Sequence, residues 1–176
     1  MLQNLKNWLA QVSDSAARYA LELILTPILN RFQSCALNGA GLVIKAGSSA
    51  LAKTGASVFH YIAEGVKGRI SAGTDMPALV GTVTNAMFNV FVFSVDKAGT
   101  LSVQMGVEGA TEAAIKWPKL DQRKAVVGFL VINPTGTGNF VGGTTALDDA
   151  TVAPNTAYIS PSGVFDPQVL TGAAIL

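Results

Sequence analysis

The sequence predicts a mainly β protein with an N-terminal α-helix, the β part forming an antiparallel β-sandwich or an open barrel. Three observations predict it. Apolar residues from Leu2 to Leu23 recur at alternating spacings of three and four, the period of an amphipathic helix. Beyond Leu37 the chain changes to short β-branched and aromatic runs joined by Gly-rich stretches, with no long helical patterns alternating between them. With 176 residues, 49% of them hydrophobic and only 13% charged, the chain can bury a core and lacks the charge of a disordered segment.

The helix comes first. Leu2, Leu9, Ala16 and Leu23 occupy one heptad core position and Leu5, Val12 and Tyr19 the other, while Gln3, Asn4, Lys6, Asn7, Gln11, Asp14, Ser15 and Arg18 lie off this seam. Two arrangements bury it: a short coiled coil between copies, or a single helix packed on its own domain. Leu21, Ile24 and Leu25 widen the stripe, which fits packing on the domain or a bundle of more than two helices. Pro27 is expected to end or kink the helix near Thr26, or to open a further turn containing Ile28, Leu29 and Phe32. Residues 1–37 therefore read as a helical segment for oligomerisation or docking. Residues 38–176 read as a β-rich domain, joined to it by the linker Asn38-Gly39-Ala40-Gly41.

Strands are expected at 42–45, 58–63, 66–70, 80–83, 88–95, 101–105, 125–132 and 157–160, with 48–55 rich in small residues and ambiguous. In 58–63, Phe59 and Tyr61 share one face and Val58, His60 and Ile62 the other. Asp96-Lys97-Ala98-Gly99 turns 88–95 into 101–105, where Leu101, Val103 and Met105 alternate with Ser102 and Gln104, so one face of the return strand should be wet. Residues 109–115 read as a helical turn and 116–122 as a loop pinned by Pro118. The apolar run 125–132 reads as a buried strand that breaks at Asn133-Pro134 into the glycine and threonine loop 135–145.

From Val126 the chain reads VVGFLVINPTGTGNFVGGTTALDDATVAPNTAYI, with VFDP shortly after. This wording resembles a segment of small virion proteins of tailed bacteriophages, the capsid decoration and head-fibre-like family. The likeness spans residues 72–167 and is clearest over 128–159. It implies a structural protein of a bacteriophage virion, a capsid decoration or head fibre on the capsid exterior. It also implies attachment as a homo-oligomer, with a trimer expected, to the major capsid protein or another virion protein. No functional residue is carried by the resemblance. The alternatives are a tail or baseplate fibre component that binds host glycans and, from another class, a glycan or peptidoglycan hydrolase.

The residues themselves point away from catalysis. His60 is the only histidine, it lies in a strand pattern between Phe59 and Tyr61, and no Gly-x-Ser-x-Gly elbow accompanies it. One histidine and the lone Cys35, expected as a small buried hydrophobe, do not make a structural zinc site. Asp148-Asp149 could offer oxygens to a hard cation, but adjacent carboxylates suit a solvated turn better. Gly136, Gly138, Gly142 and Gly143 lack the helix N-terminus that a phosphate-binding loop requires. Trp117 is expected to cover a sheet edge or anchor a neighbouring subunit. We therefore expect no enzyme activity, no cofactor and no metal. Twelve basic against eleven acidic residues leave no surplus for nucleic acid, and residues 19–32 are too interrupted to span a membrane. The early polar residues do not suit a secretory signal, so the N-terminus is expected to be retained.

Overall fold

The computed structural model describes residues 15–135 and 137–165. Helix α1 (Ser15–Phe32) continues through Pro27 with a helical backbone, so Pro27 neither ends it nor starts another. Proline removes one donor, the N–H that would reach the Leu23 carbonyl, and a helix of about five turns retains the other bonds around it.

The chain then forms β1 (Cys35–Ala36), β2 (Val43–Ile44), β3 (Ala52–Lys53), β4 (Phe59–Ala63), β5 (Val66–Ile70), β6 (Thr82–Val83), β7 (Asn89–Val95), β8 (Leu101–Met105), β9 (Ala125–Ile132), β10 (Phe140–Val141) and β11 (Ala157–Ile159). Every named pairing is antiparallel: β1-β4-β5 and β11-β9-β7-β8 form the larger sheets, β2-β3 and β10-β6 two short ribbons. The protein is therefore mainly β.

Several local expectations are corrected. Among the described residues strand structure begins at Cys35, ahead of the expected linker, because Cys35 and Ala36 pair with Ile62 and Tyr61. Asn38-Gly39-Ala40-Gly41 does not behave as a linker. Ala40 is buried, its carbonyl accepts the Gly55 N–H at 3.0 Å, and Asn38 holds β4 by accepting the His60 N–H at 2.6 Å and donating to Val58 O at 2.9 Å. The stretch 80–83 contributes only Thr82–Val83, and the turn within 109–115 is a single 3₁₀ turn, Glu112–Ala114. The ambiguous 48–55 holds β3, and the loop 135–145 contains β10, which was not expected.

Burial explains the two central strands. Every residue of β7 and β9 is buried. Phe91, Phe93, Val95, Val127, Leu130 and Ile132 join a main core with Phe59, Tyr61 and Ala63 of the other sheet. Val90, Val92, Val126, Phe129 and Val131 face a second cluster completed by Ile115, Trp117 and Phe165. A continuous apolar run is what a strand covered on both faces requires. The register of β7 against β9 shifts between Phe93 and Ser94, so odd positions of β9 face the main core before the shift and even ones after it. Next to the shift sits Gly128, where a Cβ would meet the Leu42 side chain and lie 2.6 Å from the Ile159 carbonyl oxygen.

The hairpins follow from turn chemistry. Glu64 and Gly65 join β4 to β5 with positive φ at both positions, 50° and 77°, the pattern of a type I′ turn. Between β7 and β8, Asp96 Oδ1 accepts the N–H groups of Ala98 and Thr100 at 2.9 Å each, and Gly99 takes a φ of 85°. On β8 only Gln104 is exposed. Ser102, expected to be wet, is half-buried because it shares a 3.0 Å hydrogen bond with Ser94 and accepts one from Lys124 Nζ at 2.9 Å.

Candidate interaction surfaces

Helix α1 places apolar side chains in water. Tyr19 is 69% exposed, Leu23 57%, Ile24 61% and Phe32 63%, and none belongs to either core cluster. Of the seven seam residues, the structure therefore shows Tyr19 and Leu23 uncovered among the described residues, with Ala16 on the same helix. Leu2, Leu5, Leu9 and Val12 lie outside the described residues. Tyr19 and Leu23 stand one turn apart on one side of the helix, with Ile24 and Phe32 turned away from them. No described helix is long and apolar enough to cross a membrane.

Two hydrogen bonds tie the helix exit to the β part. Gly65 N–H donates to Gln33 O at 2.9 Å and Glu64 N–H to Ser34 Oγ at 3.1 Å, so the β4–β5 turn grips the helix exit. The same turn anchors an ion-pair cluster. Glu64 pairs with Lys97 and, at 4.0 Å, with Arg123, which in turn bonds Asp121 through Nε and Nη2 at 3.1 Å each. Hydrogen bonds from Arg123, side chain then backbone, hold the Asp121 carboxyl below the usual range. Three turns meet at this shallow cleft of about 300 Å³, and mutual pairing of the charges makes it a clasp between them.

On the outer face of the four-stranded sheet, Trp117 meets Phe129 edge-on at 4.8 Å and Phe165 at 5.8 Å, while Phe129 and Phe165 stack at 5.3 Å. Trp117 thus covers a sheet face rather than an edge. Beside it runs an open groove of about 530 Å³ lined by Ile115, Trp117, Phe129, Val131 and Ile159, with exposed Glu112.

The histidine, the cysteine and the adjacent aspartates occupy structural places. His60 is exposed on β4 opposite Arg69. Cys35 is half-buried on β1, and burial pushes its thiol pKa up, away from the reactive thiolate. Asp148 accepts the Ser48 N–H at 3.0 and 3.1 Å, and Asp149 Oδ1 accepts those of Thr151 and Val152 at 2.8 and 3.0 Å, the turn role of such residues. Among the described residues no group of three or more His, Cys, Asp or Glu is placed to hold a metal ion. Around the glycines 142 and 143, the chain turns back through Thr144 N–H and Thr145 N–H to Val141 O, with no helix following.

Two features of this region were missed by sequence reasoning. Phe140 is fully buried against Phe91, ring centroids 6.2 Å apart, and Leu147 is buried with its N–H bonded to Ser49 O at 2.9 Å. Their signal was available: Phe140 and Leu147 are the largest apolar side chains in a stretch of otherwise small or polar residues.

Compared with protein-family models, curated proteins and solved structures, the chain finds no match.

Proposed function

We propose that this chain is a non-enzymatic structural protein of a bacteriophage virion, a capsid decoration or head-fibre protein held on the capsid exterior as a homo-oligomer. The observation that carries this reading is the exposed apolar pair Tyr19 and Leu23, one turn apart on α1, in water and outside both core clusters. The resemblance of residues 128–159 to phage virion proteins supports the station on a virion.

In this reading the seam of Leu2, Leu5, Leu9, Val12, Ala16, Tyr19 and Leu23 forms a short coiled coil between copies, three in number. Each large apolar side chain so buried contributes about 1.5 to 3 kcal/mol before ordering entropy is subtracted. The three-stranded and four-stranded sheets face one another as an antiparallel sandwich, a reading supported by the main core drawing on both. The major capsid protein or another virion protein is the partner, and neither nucleic acid nor membrane takes part. Joining several copies turns weak single contacts into durable attachment, since later contacts form at high effective concentration.

Quantitative mass spectrometry of purified particles tests the station. A copy number comparable to that of the capsid subunits supports decoration, a handful of copies assigns the chain to a tail or baseplate fibre, and its absence from particles overturns the reading.

A further inference from the structure

The three-stranded sheet has an open, cationic edge. Strand β5 ends the order β1-β4-β5, and among the described residues nothing pairs with its outer side. The two-residue turn at Glu64 and Gly65 sets the alternation. It makes Ala63 and Val66 a hydrogen-bonded pair, and so Tyr61 with Gly68 and Phe59 with Ile70. The intervening pairs, Ile62 with Lys67 and His60 with Arg69, direct their backbone groups away from each other. On the β4 side this is visible: His60 N–H goes to Asn38 and its carbonyl accepts the Leu37 N–H at 2.8 Å, both away from β5. On the β5 side the N–H and C=O of Lys67 and Arg69 therefore face outward, where no described backbone or side chain meets them.

The side chains above this edge share one sign. Lys67 and Arg69 are exposed on the same sheet face, two residues and so about 7 Å apart along the strand. His60 lies opposite Arg69 on that face. Neither Lys67 nor Arg69 forms an ion pair among the described residues, unlike Lys45, Lys97 and Arg123.

We propose that β5 is a docking edge for an extended acidic segment of another protein, which adds as a fourth strand and places carboxylates at alternate positions against Lys67 and Arg69. Backbone pairing supplies the attachment and the charges select the partner. A second copy does not fit: antiparallel pairing of two β5 strands centred on Gly68 sets Lys67 opposite Arg69, and like charges directly opposed are destabilising. The proposal does not rest on α1 and stands whether or not α1 self-associates.

Selection from a random decapeptide library on the immobilised full-length protein tests it, followed by amide hydrogen exchange with the recovered peptides. Binders should carry Asp or Glu at alternate positions and slow the exchange of the Lys67 and Arg69 amides at least tenfold. The double variant K67E/R69E, on the solvent face, should weaken binding at least tenfold with an unchanged circular dichroism spectrum. Lys67→Pro, which removes an outward N–H, should weaken it further than Lys67→Thr, which removes only the charge. Failure to recover binders, binders without the acidic alternation, or binders that leave those two amides unprotected would overturn the proposal. Equal binding by Lys67→Pro and Lys67→Thr would do so too, pointing to simple polyanion attraction.

Discussion

The ring of Tyr61 fills the space above Gly68, its partner across β4 and β5, so that a Cβ at Gly68 would lie 2.8 Å from Cε2 of Tyr61. Gly68 has an ordinary strand conformation, and its lack of a side chain serves the ring alone. Tyr61 also stacks on Phe59 at 5.9 Å, which extends the main core to the edge of the sheet.

Gly68→Val is therefore expected to destabilise the protein by about 1 to 3 kcal/mol through overpacking. Urea denaturation checks this: the midpoint should fall while the slope stays unchanged. A midpoint equal to that of the native chain would show that Tyr61 moves aside freely.

Phe140 anchors the glycine and threonine loop by entering the main core beside Phe91. Phe140→Ala is expected to cost about 3 to 5 kcal/mol. The same denaturation experiment measures it, and light scattering should show the association of the helix unchanged.

Burial first, and the Asp148 charge second, push the Tyr158 phenol up to about 12. Its folded pKa lies above the unfolded value near 10, so its contribution to stability is complete below pH about 10 and is lost as pH rises toward 12. Ultraviolet titration should show a late phenolate step that Tyr158→Phe removes. Asp148→Asn should move that step to lower pH without restoring the ordinary value, because burial is the larger cause.

Asp149 is held below the usual carboxylate range by the backbone N–H groups of Val152 and Thr151, and Asp96 by that of Thr100 first. A depressed folded pKa gives stability that is present above the unfolded value of about 3.8 and lost as pH falls through the folded one. Melting temperature followed from about pH 5 to pH 2 should decline, and Asp149→Asn should flatten the decline.

Much of the β part was legible because its signals were local. Strands β5, β8 and β9 stand at the residues where β-branched and aromatic runs placed them, and the inward set Phe59, Tyr61 followed from alternation. What escaped depends on distant partners. Cys35 and Ala36 are too few to show a period and become a strand only because Tyr61 and Ile62 lie beside them. Asn38 to Gly41 has linker composition, and becomes core through the Gly55 N–H and the backbone of β4, contacts invisible to composition. Ser102 reads as a wet position until Ser94 and Lys124 close over it. Pro27 breaks a helix by its local chemistry, whereas the helix around it persists from Ser15 to Phe32. Of the candidate interface, the heptad spacing placed Tyr19 and Leu23 correctly on a helix, and their exposure came from the structure.

Multi-angle light scattering measures most directly whether this helix joins copies. Full-length protein should have three times the 18.2 kDa mass of one chain, and both a chain beginning at Gln33, which keeps β1, and the variant L9E/L23E should have the mass of one. A full-length mass of one chain, or an oligomer that survives removal of the helix, would contradict the account.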